Sequence, residues 1–239
     1  MPLAGGTASI FKSVCPVARK RERASVGKSA HDICGTAFAL APRLFMTAAH
    51  VLNGPAEEFS LCTKIREGPG LTAWPVIDFE LFSDIDVALV ECDLPHVDMF
   101  SWHTQELDML TDVIAMGYPF AIDEADLFGR ARALKGYVVC ADTAGASEIS
   151  GKPRIYELTF QSPRGLSGAP LLVPTAQGLR VAGVMIKNRS TTLRLPTMVE
   201  TRTEQRGRET TQTTVEIQEV IHFGVAVQVG SIGSLQLVR

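Results

Sequence analysis

The 239-residue sequence has no apolar run approaching the roughly 20 residues needed to cross a bilayer. Its first apolar stretch, residues 8–11, is cut by Lys12 and is too short for the core of a secretory signal. An excess of positive charge is missing as well. The 23 Lys and Arg against 26 Asp and Glu leave a net charge of -3, which removes the electrostatic basis for nucleic acid as a main partner. The five cysteines, Cys15, Cys34, Cys62, Cys92 and Cys140, contain no C-x-x-C pair and do not cluster with histidine. An odd number so spaced excludes a fully paired disulfide framework and argues against a zinc site, so no metal or other cofactor is called for. Reduced thiols, no leader and no membrane segment together predict a soluble cytoplasmic protein.

Long amphipathic helices are also lacking. With 46% hydrophobic and 21% charged residues the chain has material for one large or two small cores, and that material is dealt out in short runs. Residues 34–40, a turn at 41–43 and residues 44–50 read as strand, turn and strand. Further strands are predicted at 59–63, 72–79, 87–91 and 112–116, then at 131–140, 154–160, 171–173, 179–186 and 222–229. A lead-in strand is expected over 9–14 and a charged surface loop over 19–23. Residues 103–110 read as one or two helical turns with Leu107 and Leu110 on the apolar side. Gly117-Tyr118-Pro119 marks a turn, and 121–129 a crossing between two halves. Short strands at this spacing favour an all-β barrel or sandwich. The segment 197–214, rich in Thr, Arg and Glu, is expected to be an exposed, mobile loop because it has too little apolar surface to offset its ordering entropy.

The chemistry centres on Arg164-Gly165-Leu166-Ser167-Gly168-Ala169-Pro170. Glycines on both sides of Ser167 permit a tight turn that holds a hydroxyl out of the interior while amide hydrogens point at the same space. A serine nucleophile needs a base, and Thr47-Ala48-Ala49-His50 offers one where a strand gives way to a turn, with small neighbours that let a loop pack close to the ring. His31, His96, His103 and His222 have no such setting. The base in turn needs a carboxylate to fix its tautomer. Asp86 stands directly ahead of the apolar run Val87-Ala88-Leu89-Val90, at the rim of a core, where an unpaired carboxylate is costly; Asp84 is the competitor. A Ser167, Glu216 and His222 set in an α/β-hydrolase is disfavoured by Ala169-Pro170, which spoils the Gly-x-Ser-x-Gly elbow.

Gly35-Thr36, Thr47-Ala48-Ala49-His50-Val51, Asp86-Val87-Ala88-Leu89-Val90, Gly117-Tyr118-Pro119-Phe120 and Gly165-Leu166-Ser167-Gly168-Ala169-Pro170-Leu171, in that order, resemble the trypsin-like serine proteases, and most of all their bacterial HtrA-like branch. The resemblance implies an all-β fold of two six-stranded antiparallel β-barrels with the active site in the cleft between them. It divides the chain into a lead-in (1–29), an N-terminal barrel (30–120) and a C-terminal barrel (121–239). It implies a serine endopeptidase with His50, Asp86 and Ser167 as the triad and the amides of Gly165 and Ser167 as the oxyanion hole. Gln161, Ser162 and Gly224 would frame the primary specificity pocket, and Ile186, Lys187 and Asn188 the edge that pairs with an extended peptide substrate. Leu166 stands where trypsin has an acidic residue that captures a freed amino terminus, so that route of activation is not expected. No peptide-binding module is expected after Arg239. A protease-like scaffold without catalysis, and a protease latent until a regulatory protein partner or ligand acts on it, remain open beside constitutive activity.

Overall fold

A computed structural model describes residues 13–20, 31–64, 71–95, 98–119, 131–142, 149–206 and 209–232. The expectations for 9–12, 21–23 and 121–129 lie outside the described residues. Strands β1 (Val14–Lys20), β2 (His31–Ala41), β3 (Leu44–Ala48), β4 (Phe59–Lys64), β5 (Leu71–Phe82) and β6 (Val87–Cys92) form a closed barrel in the order β1-β2-β3-β6-β5-β4. Their registers bring large apolar residues together from distant parts of the chain: Phe38 lies opposite Met46, Phe45 opposite Val90, and Val17 opposite Leu61. All six of these are buried. Phe38 also packs edge-on against Phe100 and Trp102, with ring centroids 6.3 Å apart in both pairs.

The second barrel holds β8 (Asp112–Gly117), β9 (Arg132–Asp142), β10 (Ile155–Leu158), β11 (Pro170–Thr175), β12 (Gly178–Arg206) and β13 (Glu209–Gln228). The order is β11-β8-β9-β10-β13-β12, closed by pairing of β11 with β12, and the short strand β7 (Ser101–Trp102) lies parallel to β12 beside Arg180 and Val181. Its core includes Val113, Val138, Tyr156, Leu158, Leu166, Leu171, Met185 and Ala226. Tyr156 keeps its polar tip satisfied in that core by accepting a 2.9 Å hydrogen bond from Leu107 N. The double barrel is thus the architecture that the resemblance implied, and it has no place for an α/β-hydrolase elbow. Among the described residues no helix is long and apolar enough to cross a membrane, and no group of three or more His, Cys, Asp or Glu could hold a metal ion.

Four sequence expectations need correction. First, β1 falls inside the stretch 1–29 assigned to a lead-in, yet it pairs with both β2 and β4 and buries Val14, Cys15 and Val17 in the first barrel. Second, β7 and β8, inside 30–120, belong to the second sheet, so the change of barrel comes earlier than expected. Third, 103–110 forms no helix: Leu107 is buried but Leu110, at φ 68°, is 74% exposed, because its amide bonds to Val138 O rather than to a helical carbonyl. Fourth, 197–214 is not an unpaired loop. The ladder between β12 and β13 runs from Gly183 opposite Gln228 out to Arg206 opposite Glu209. Thr, Val and Ile suit extended backbone, and pairing satisfies the amides and carbonyls without a hydrophobic core. The register shift between Leu193 and Met198 contains Pro196, which has no amide to give to the ladder.

Candidate active site

His50 sits in a single 3-10 turn, Ala49–Val51, that ends β3. Asp86 closes the turn leading into β6 with φ 57°, a left-handed conformation that Asp tolerates better than most residues. That conformation turns both its backbone and its carboxylate towards the other turn. Ala49 N donates to Asp86 O at 3.2 Å, His50 N donates to Asp86 Oδ1 at 3.0 Å, and His50 Nδ1 lies 2.9 Å from Oδ2 and 3.1 Å from Oδ1. A carboxylate on Nδ1 fixes the proton there and leaves the Nε2 lone pair of the neutral ring open as an acceptor. The competitor Asp84 has another task, its backbone carbonyl accepting from Gly151 N at 2.7 Å.

The Ser167 loop is a run of tight turns. Leu166 N donates to Pro163 O at 3.0 Å and Gly165 has φ 93°, the form of a type II turn, which needs glycine at its third position. Gly168, at φ 84°, presses against the other barrel: a Cβ there would stand 2.1 Å from Thr47 Oγ1 and 2.8 Å from Ala48 N. The small residues ahead of His50 therefore accommodate the serine loop itself.

Thr36 joins the pieces. Its buried hydroxyl donates to Gly165 O at 2.7 Å and accepts from Tyr118 N at 3.0 Å, while its amide donates to Ser167 O at 2.8 Å. Thr36 O accepts in turn from Thr47 Oγ1 at 2.7 Å. Neither Thr36 nor Thr47 was assigned a role from the sequence, although Gly35-Thr36 and Thr47 both lay in motifs. A polar residue flanked by small ones in an apolar strand was the available signal, and its meaning depended on a loop 129 positions away.

Among the described residues, the amides of Gly165 and Ser167 donate to no protein acceptor. Ser167 Oγ donates to Ile186 O at 3.4 Å, and no hydrogen bond joins it to the His50 ring. A cavity of about 430 Å3 is lined by His50, Ser83, Asp86, Ile149, Ser150, Ile186 and Lys187.

Of the remaining sequence-predicted residues, Ser162, Asn188 and Gly224 are brought together by hydrogen bonds and by ladder register. Asn188 laces β12 to the serine-side loop: Ser162 N donates to Asn188 Oδ1 at 2.6 Å and Asn188 Nδ2 to Ser162 O at 2.8 Å. Gly224 lies opposite Asn188 in the ladder and gives its amide to Phe160 O at 2.8 Å. A side chain at 224 would collide with that carbonyl, its Cβ only 2.6 Å away. Ser162 is buried, whereas Gln161 is exposed.

The model of the trypsin-like peptidase domain matches residues 35–184, a span that runs from Gly35 through His50, Asp86 and Ser167. The chain belongs to the trypsin-like peptidase family. Among solved structures, the active form of the Rv3671c protease from M. tuberculosis is 19% identical, with a TM-score of 0.60 over 95% of this chain and 80% of that one. The protease domain of MamO from Magnetospirillum magneticum is 16% identical, with a TM-score of 0.59 over 95% and 96%. The HtrA-type protease AlgW with a tripeptide is 13% identical, with a TM-score of 0.59 over 95% and 60%. No curated protein matches the chain. At these identities the solved structures speak for a shared fold, that of bacterial proteases of the HtrA and Rv3671c types.

Proposed function

We propose that this trypsin-like peptidase is a serine endopeptidase working through a His50, Asp86 and Ser167 triad and an acyl-enzyme intermediate. The observation that carries the proposal is the 2.9 Å approach of His50 Nδ1 to Asp86, which holds the proton on Nδ1 and leaves Nε2 to act as the base. Ser167 Oγ attacks the carbonyl carbon of a peptide bond as Nε2 removes its proton. The oxygen that gains charge is received by the amides of Gly165 and Ser167, each such donor being worth about 3 kcal/mol of transition-state stabilisation. Collapse expels the amine, which takes the proton from Nε2. Water, activated by the same nitrogen, then hydrolyses the ester. The substrate backbone lies extended along Ile186, Lys187 and Asn188, and the side chain before the cleaved bond enters the space framed by Gln161, Ser162 and Gly224. A neutral floor at Gln161 does not favour Arg or Lys there. The reaction calls for no cofactor, and the partner is a protein or peptide substrate.

One observation favours a second reading, in which the enzyme rests in a latent state. The Ser167 hydroxyl donates to Ile186 O at 3.4 Å and makes no hydrogen bond to the imidazole, and in this reading it must turn to the ring before attack. A regulatory protein partner or ligand that engages the 186–188 edge would compete for that carbonyl's surroundings and release the hydroxyl. If the rotation never occurs, the protein is a silent binding or sensor scaffold. Labelling by a serine-directed fluorophosphonate, with Ser167→Ala as control, separates the cases. Labelling of the unmodified chain alone supports a working triad; none, even with peptide ligands present, supports the scaffold.

A further inference from the structure

The space framed by Gln161, Ser162 and Gly224 is crossed by hydrogen bonds between its own walls. Asn188, on β12, grips the serine-side loop with both ends of its carboxamide, Oδ1 accepting from Ser162 N at 2.6 Å and Nδ2 donating to Ser162 O at 2.8 Å. A carboxamide carries an acceptor and a donor side by side, so it takes up the N–H and the C=O of one residue together, as a rung of a strand ladder does. Ser162 is only 7% exposed. Opening the clasp would strip both of its backbone groups of these partners, and that cost holds the carboxamide in place. Two residues earlier, Phe160 O accepts from Gly224 N at 2.8 Å and ties the loop directly to β13.

Little room is left behind these bonds. A Cβ at Gly224 would stand 2.6 Å from Phe160 O, 3.6 Å from Ser162 N and 3.3 Å from the methyl of Met185, whose side chain is fully buried. Not even one added carbon fits there without displacing a neighbour. Asn188 itself is exposed, which puts the clasp at the mouth of this space. The 430 Å3 cavity against His50 draws none of its lining from Gln161, Ser162, Asn188 or Gly224.

We propose, resting on the endopeptidase reading above, that Asn188 sets the size of the side chain accepted before the cleaved bond and that the chain cleaves after Gly, Ala and Ser. Those side chains carry at most one heavy atom beyond Cβ and lie over the clasp. Leu, Phe, Lys or Arg must pass between Asn188 and Ser162, which breaks both hydrogen bonds and leaves a buried amide and carbonyl unpaired. Selectivity then comes from excluding large residues, with few contacts made to small ones.

Digestion of a peptide library by the full chain, with cut sites read by mass spectrometry and rates from matched peptides differing only before the cut, tests this. The parent is expected to favour Ala over Phe by about a hundredfold in kcat/KM. Asn188→Gly and Asn188→Ala, which lack the carboxamide, are each expected to raise the Phe-to-Ala ratio by about the same factor. That ratio is taken within one preparation, so a smaller folded fraction does not move it, and the profile of the parent needs no variant at all. A parent that cuts after Phe or Leu as readily as after Ala would overturn the proposal while leaving the triad standing, and so would a ratio unmoved in both variants. A library left uncut by the parent would remove the endopeptidase reading and this proposal with it.

Discussion

The hydroxyl of Thr36 and the carbonyl of Gly165 are joined by a buried 2.7 Å hydrogen bond that ties the first barrel to the turn carrying Ser167. The same oxygen accepts from Tyr118 N, and the Thr36 amide holds Ser167 O. One residue thus holds the Gly165–Leu166 peptide group and the Ser167 carbonyl, and with them the shape of the turn. Thr36→Val keeps the shape but leaves a buried carbonyl and a buried amide unpaired, at a cost of about 1–3 kcal/mol each. Peptide hydrolysis and fluorophosphonate labelling by Thr36→Val are expected to slow at least tenfold at temperatures well below unfolding, and Thr36→Ser to recover most of the rate. Equal rates for Val and the parent would show that the turn holds itself.

Asp86→Asn tests the pairing with His50 separately from the fold. A carboxamide can offer its own N–H to Nδ1, which leaves the proton on Nε2 and the ring unable to accept from serine. Turnover is expected to fall by about four orders of magnitude with the melting temperature nearly unchanged. A fall of less than tenfold would remove Asp86 from the triad. Asp84→Asn, by contrast, is expected to leave the rate unchanged, since the contribution of Asp84 comes from its backbone carbonyl.

Two glycines with positive φ make a matched comparison. Gly168→Ala meets Thr47 Oγ1, Thr36 O and Ala48 N at 2.1, 2.2 and 2.8 Å, whereas the Cβ of Gly178→Ala meets nothing within 4 Å. Backbone strain alone costs about 1 kcal/mol at Gly178, and strain together with steric displacement about 3 kcal/mol or more at Gly168. Urea denaturation of both variants measures the difference. Loss of activity should accompany the Gly168 change only.

The thiols give a pH dependence. Burial pushes Cys34 up to about 12 and both Cys62 and Cys92 up to about 11 from an ordinary value of 9.0, and holds Cys15 well above it. Each raised thiol keeps its proton in the folded chain after the unfolded chain has lost it. Their stabilisation is therefore complete below pH 9 and is lost as pH rises towards 11–12. Unfolding free energy measured by urea is expected to be level from pH 7 to 8.5 and to drop steeply by pH 10.5. The thiol reagent DTNB at pH 8 should react with Cys15, Cys62 and Cys92 only as fast as the chain opens. Rapid labelling of all three in the native protein would contradict this.

What could be read from the sequence divides along a physical line. Ser167 between two glycines, His50 after small residues and Asp86 ahead of a buried strand each state a local backbone need, and local needs are visible one window at a time. The role of Thr36 was hidden because its partner lies in another barrel. Leu107 and Leu110 suggested a helix on spacing alone, but two residues set no period, and the exposed Leu110 is held by a strand carbonyl. The segment 197–214 looked too polar to fold because order was equated with burying apolar surface. A two-stranded ladder draws on backbone hydrogen bonds, and neither composition nor hydrophobic pattern reveals where the partner strand begins.

Asn188 and Gly224 are rungs of the same ladder that ends at Arg206 and Glu209. The rungs from Asn188 opposite Gly224 out to Leu193 opposite Glu219 therefore share one count of residues. A single residue removed from either strand within that stretch would slip the rungs and turn Asn188 away from Ser162, whereas beyond Leu193 the register shift before Met198 already absorbs an unequal count.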